Sequence, residues 1–156
     1  MKRTSLNDSI CPVARTLDLI GDWWTLLIVR DALGGIKRFS EFQRSLGVAK
    51  NILSSRLKTL VAEGVLDIRP ASDGSAYQEY VLTPKGKDLY PILIALGQWG
   101  HQYMFNENET CSYAVDRLTR QPLAAMKLRA QDGRELAADD IQVIPGHLAK
   151  DELKIN

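Results

Sequence analysis

Through most of its first hundred residues the chain repeats apolar positions with a helical period, and only two short runs switch to strict alternation. Between Pro12 and Leu33 the apolar stripe is Leu17, Ile20, Trp24, Leu27 and Ile28, which predicts a helix broken near Gly21. Asp22 is placed to cap the second piece, and Gly34-Gly35 to end it. Ser40 followed three residues later by Gln43 reads as a capping box opening a short helix to about Leu46. After a tight break at Gly47-Val48, Leu53, Leu57, Leu60 and Val61 form the buried stripe of a longer helix from about Ala49 to Glu63.

The period then drops to two at Val65–Arg69 and Tyr77–Leu82, which predicts two strands around a loop of turn-forming residues. Thr83-Pro84 begins the next helix, and Leu89, Ile92, Leu96, Trp99 and Tyr103 carry it to about Phe105 with a kink at Pro91. Beyond Asn106 the pattern changes. Asp132-Gly133, flanked by Met126–Ala130 and Arg134–Leu136, predicts a small hairpin, and Pro145-Gly146 with the charged end predicts a poorly ordered tail. The reading is a mainly α fold with a small β-hairpin wing over residues 1–105, followed by a C-terminal extension over 106–156 that holds a small hairpin of its own.

A short capped helix, a tight turn, a second helix and a hairpin follow one another in the order of a winged helix-turn-helix. The second helix would project into a DNA major groove. Stepping 100° per residue with Leu53 and Leu57 inward turns Asn51, Ser55 and Lys58 away from the core, with Ser54 on the flank. Asn pairs with adenine, Ser serves a base edge or a phosphate, and Lys suits guanine or phosphate. Lys50 opens the helix, where backbone N–H groups also favour a phosphate. Arg38 and Ser40, before and at the shorter helix, are further candidates, with Arg69 in the wing. Arg56 points nearer the core and is expected in a structural ion pair, with Glu41 as a candidate partner.

Charge supports this placement. The whole chain carries a net +1, but Ile36 to Lys58 holds six basic residues against one acid, Glu41. Beyond Phe105 there are seven basic and nine acidic residues, a net of −2. Positive charge is therefore gathered on the segment that would meet DNA. A solvated helical face is the competing explanation. An interaction module that keeps the winged fold without binding DNA is the competing function, and the acidic tail fits it.

Little else in the chain points to chemistry. There is no phosphate-binding glycine loop, no paired carboxylates and no nucleophile–base motif, so an enzyme is not expected. His101 and His147 lack a second ligand at metal spacing, and neither a metal nor another cofactor is expected. No apolar run is long enough to span a bilayer, and Met1-Lys2-Arg3-Thr4-Ser5 lacks the apolar stretch of a secretory signal, so a cytoplasmic location is expected. Trp23, Trp24, Tyr90, Trp99 and Tyr103 could line a ligand pocket or serve as core and interface aromatics, and His101 is expected at an interface. Cys11 immediately precedes the helix beginning at Pro12, whose N-terminal partial charge favours a thiolate, and Arg15 lies one turn on. Such a sulfur would react with oxidants or electrophiles; otherwise it is an inert thiol. Cys111 could pair with it.

Several segments together resemble the HxlR family of winged-helix regulators, relatives of the MarR type. They are Cys11-Pro12, Gly21-Asp22-Trp23-Trp24, Arg38-Phe39-Ser40-Glu41-Phe42, Leu53 to Leu60 with Glu63-Gly64, Glu79 to Gly86, and Trp99-Gly100. The resemblance implies a homodimeric regulator on an inverted-repeat DNA operator. The first and last helices of two protomers would pack together through Leu89, Ile92, Leu96, Trp99 and Tyr103, with the wing along the DNA backbone. It also implies a cysteine at the place of Cys11 that senses oxidants, electrophiles or aldehydes, or a small ligand at the dimer interface. The chain departs from the family pattern at Asp22, at Ala49 and at Ser75-Ala76-Tyr77, where lysine, a serine-like cap and Pro-Arg are usual.

Overall fold

In the computed structural model, which describes residues 5–153, regular structure begins with α1 (Pro12–Ile20) and α2 (Trp23–Leu33). Met1–Thr4, read above for a signal, and the last residues of the charged tail lie outside the described residues. Asp22 divides the two helices as expected: its carboxylate accepts the Thr25 N–H at 3.1 Å and the Thr25 hydroxyl at 2.5 Å. Ile20 and Ile28 are buried, whereas Leu17 is exposed rather than on the inward stripe. The turn at Gly21 resets the helical phase, so one periodic stripe cannot run through both helices.

Next come α3 (Phe39–Leu46) and α4 (Lys50–Ala62). The expected Ser40–Gln43 capping box is not what starts α3. The N-cap is Arg38, and the Glu41 carboxylate accepts the backbone N–H of Arg38 at 3.0 Å and of Lys37 at 3.2 Å. A charged acceptor satisfying two N–H groups outcompetes one hydroxyl satisfying a single group. Those two bonds hold the Glu41 carboxyl below its ordinary range. Gly47 joins α3 to α4 with φ +63°, a left-handed conformation that a residue with a Cβ adopts only with strain.

β1 (Leu66–Pro70) and β2 (Gln78–Leu82) pair antiparallel in the register Leu66↔Leu82 to Pro70↔Gln78. Each strand begins one residue later than the alternation suggested. The Tyr80 N–H bonds to the Lys37 carbonyl at 2.8 Å, which ties the hairpin to the segment before α3.

The single kinked helix expected from Pro84 to Phe105 is two helices, α5 (Pro84–Lys87) and α6 (Tyr90–Tyr103). Pro91 has no N–H to continue the ladder from α5, and it fits instead in the first turn of a restarted helix. Thr83 caps α5, accepting the Gly86 N–H at 3.1 Å. A Cβ at Gly86 would stand 2.2 Å from the Val65 carbonyl oxygen, so α5 can lie this close to the hairpin base only with glycine there.

The core consists of Ile28, Val29, Phe42, Val48, Leu53, Leu57, Leu60, Val65 and Leu66. It lies among α2, α3, α4 and the hairpin, so α4 is held by one face while its other face is open.

The chain forms two compact units, one up to Gly97 and the other from Gln98. In the second, the Gln98 side chain donates to the Ala124 carbonyl at 2.9 Å and accepts the Met126 N–H at 2.8 Å. The hairpin expected at Asp132-Gly133 is a tight turn with Gly133 at φ +87° and a single bridge, Arg129↔Glu135. Where Pro145-Gly146 and the charged end suggested a tail, Gly146–Leu153 forms a helix, α7. Proline just before a helix start is a favourable boundary rather than a breaker.

Candidate nucleic-acid interface

Leu53, Leu57 and Leu60 anchor α4, each with no exposed surface. That anchoring fixes the opposite face. Lys50, Asn51, Ser54, Ser55 and Lys58 are all exposed, and from Asn51 they follow i, i+3, i+4 and i+7 spacing. None of these five side chains makes a hydrogen bond or ion pair among the described residues. All five therefore stand where their spacing placed them, with donors and acceptors available.

The start of α4 adds a second feature. Ala49 is its N-cap and supplies no side-chain hydrogen bond, so the first N–H groups of a 13-residue helix have no capping side chain among the described residues. Together with Lys50, this is a local concentration of positive charge suited to an anion.

Arg56 leaves that row. Its Nε lies 3.3 Å from an Asp22 carboxylate oxygen, so the structural ion pair is to Asp22 and not to Glu41, whose carboxylate serves the start of α3. The pair links α4 to the α1–α2 turn.

Arg38 and Ser40 are placed differently from each other. Ser40 is exposed in the first turn of α3. Arg38 is bonded to Asp73 in the hairpin loop, lies 4.0 Å from Glu79, and stacks over Tyr77 with its guanidinium carbon 5.6 Å from the ring centre. The bond to Asp73 raises the Arg38 pKa above its ordinary value. Bonds from Ser75, and then Arg38, hold the Asp73 carboxyl well below the usual carboxylate range. Arg69 is exposed on β1, with its Nε 3.2 Å from Asp67.

Glu79 was not singled out from the sequence as a site residue, yet it organises this corner. Its carboxylate is buried, accepts the Ser72 hydroxyl at 3.0 Å and lies 3.7 Å from the Lys37 ammonium. The only signal was an acid at an inward position of a strand that follows a basic segment.

Apolar side chains also stand exposed. Helix α6 has no buried residue. Ile92, Leu96, Trp99 and Tyr103 are 41%, 50%, 58% and 62% exposed, and Leu89 is partly buried against the core. Ile10 and Val13, before and in α1, are also exposed. Of the five aromatic residues considered for a pocket, Trp23 lies against Trp24 with ring centres 6.1 Å apart, Trp99 lies against Tyr103 at 5.3 Å, and Tyr90 is exposed. His101 is placed against Cys111. Cys11 is a free, exposed thiol at the N-cap of α1, and the Arg15 Nε bonds to the Ser9 carbonyl at 2.5 Å. Cys111 is also a free thiol. Among the described residues no helix is long and apolar enough to cross a membrane, and no three His, Cys, Asp or Glu residues could hold a metal ion.

A helix-turn-helix with an open polar ridge, flanked by a two-stranded wing, defines a winged helix-turn-helix protein. The chain belongs to the HxlR-like helix-turn-helix family, which matches residues 19–108. It is 45% identical over 92 residues to the uncharacterized HTH-type transcriptional regulator Rv3095 of Mycobacterium tuberculosis, covering 59% of this chain and 58% of that protein. The chain thus spans less than two thirds of that relative's length. It is 36% identical over 97 residues to the uncharacterized HTH-type transcriptional regulator YvaP of Bacillus subtilis, covering 61% of this chain and 90% of that protein. Among solved structures it is similar to PA1607, a proposed transcription factor, with 52% identity and a TM-score of 0.86 over 90% of this chain and 99% of that one. It is also similar to the redox regulator HypR in its reduced form, with 30% identity and a TM-score of 0.54 over 60% of this chain and 94% of that one.

Proposed function

We propose that the protein is a transcriptional regulator that binds an inverted-repeat DNA operator as a homodimer. The observation that carries this reading is the outward row of α4, whose side chains have no hydrogen-bond or ion-pair partner among the described residues although the helix itself is fixed by three fully buried leucines. Asn51 and Lys58 would read base edges, Ser54 and Ser55 base edges or phosphates, and Lys50 with the uncapped helix start a phosphate. Ser40 and Arg69 would add phosphate contacts. Arg38 would hold the wing beside the duplex through Asp73, within reach of the backbone itself. Two copies are needed because one short helix reads only a few base pairs, and a two-fold pair doubles the site. The exposed apolar row of α6 is the surface that would pair them.

Cys11 would be the sensor. It is exposed and stands at a helix N-terminus, and the redox regulators among similar structures favour a thiol signal.

Fluorescence anisotropy on a duplex selected by the protein tests the DNA reading. Four phosphate contacts would weaken binding by about a hundredfold between 50 and 200 mM salt, because condensed counterions are released. Affinity unchanged over that range would contradict it.

A further inference from the structure

The second unit holds a group of reactive side chains that the DNA reading leaves unexplained. Cys111 Sγ lies 3.0 Å from Nδ1 of His101, which projects from α6. The His101 ring stands edge-on to Tyr113 with centres 4.8 Å apart, and Phe105 lies 6.5 Å away on a tilted plane. Sulfur, imidazole and phenol thus converge at one place, although ten residues separate Cys111 from His101 and no sequence motif marks the pair. The contrast with Cys11 is chemical: among the described residues nothing that could take a proton is bonded to the Cys11 sulfur, and the Ser9 hydroxyl accepts the Cys11 backbone N–H instead.

We propose that Cys111 with His101 forms a second thiol site, separate from Cys11, which captures conjugated carbonyl compounds by covalent addition. A nucleophile needs a base within hydrogen-bonding reach, and here the imidazole nitrogen is in direct contact with the sulfur. As the S–C bond forms at the β-carbon, the thiol proton passes to Nδ1 and the displaced π pair rests on the carbonyl oxygen as an enolate. The imidazolium then returns the proton to the α-carbon. Nothing leaves, no external oxidant or reductant takes part, and imidazole is regenerated neutral. The rings of Tyr113 and Phe105 give a flat conjugated molecule an aromatic surface beside the sulfur.

Tyr113 supports the arrangement. Its hydrogen bond to Cys111, and after that burial, hold the phenol above its ordinary pKa, so its hydroxyl remains a proton donor toward the sulfur at neutral pH. Cys111 itself is only partly buried, which leaves room for a reagent to approach.

The test uses the full chain with limiting N-ethylmaleimide at pH 7, followed by peptide mass spectrometry that counts adducts at Cys111 and Cys11 separately. Cys111 is expected to react at least about tenfold faster than Cys11. His101→Asn keeps an amide near the position of Nδ1 but cannot accept a proton, and it should slow Cys111 by about tenfold or more while leaving the Cys11 rate unchanged. A second variant, His101→Gly, should recover much of its lost rate when free imidazole is added, which a merely structural defect would not do. Equal Cys111 rates in the native protein and in His101→Asn would overturn the proposal. So would a loss in His101→Gly that imidazole fails to restore. Because the sulfur is read directly, either result leaves the DNA reading untouched.

Discussion

Helices α4 and α6 are nearly the same length, 13 and 14 residues, yet they are built in opposite senses. Helix α4 buries its leucines in its own protomer and shows solvent a polar row. Helix α6 has no fully buried residue, sets only Leu93 partly against the core, and shows solvent Ile92, Leu96, Trp99 and Tyr103. A helix that is already anchored needs no second apolar partner, so its outer face can be given to hydrogen-bonding groups. A helix with an uncovered apolar row is completed only by another surface. On the function proposed above, the difference would separate two kinds of partner: a polar, charged one for α4 and an apolar one, a second copy of the chain, for α6.

That contrast can be broken at several points. The largest effect is expected in the α4 anchor: Leu57→Ala should destabilise the protomer by about 2–5 kcal/mol in thermal or chemical denaturation, since the fully buried site leaves a cavity. Trp99→Ala on α6 should leave protomer folding nearly intact but weaken self-association by about 2 kcal/mol, roughly thirtyfold, in sedimentation equilibrium. If instead Trp99→Ala destabilises a monomer as much as Leu57→Ala does, the proposed division between the two helices is wrong.

Glu41→Gln should cost about 1 kcal/mol by weakening the two N–H bonds at the start of α3. The sign with pH follows from the lowered carboxyl: its contribution is complete at neutral pH and is lost as acid carries the solution down through about pH 4 and below. Denaturation midpoints of native and Glu41→Gln protein should therefore converge on acidification. The smallest effect is expected for Lys50→Ala, which should leave folding unchanged and lower the logarithmic salt slope of DNA binding by about one per contacted phosphate.

Much of this was legible in the chain because it depends on local rules. Helical period located Leu53, Leu57 and Leu60 on one side, which automatically placed Asn51, Ser55 and Lys58 on the other. Asp22 announced a cap, and alternation announced the wing. What was not legible depended on competition or distance. Ser40 looked like a cap until Glu41 offered a charged acceptor to two N–H groups. Arg56 pointed to Glu41 as its acid, and only packing of α4 against the α1–α2 turn selects Asp22. Arg38 and Asp73 are 35 residues apart, so their bond required the hairpin to fold back on α3. Pro91 was correctly read as an interruption, but whether it kinks or restarts a helix depends on where the chain must turn. The His101–Cys111 contact likewise joins a helix to a loop with no periodic signal.

Whether the outer ridge of α4 meets base pairs is tested most directly by selection from a pool of random duplexes. Native protein should enrich an inverted repeat whose half-sites lie about one helical turn apart, and Asn51→Ala should relax one base position in each half-site, at about 1–3 kcal/mol per contact. Enrichment of no sequence, or of a sequence that Asn51→Ala leaves unaltered at every position, would contradict it.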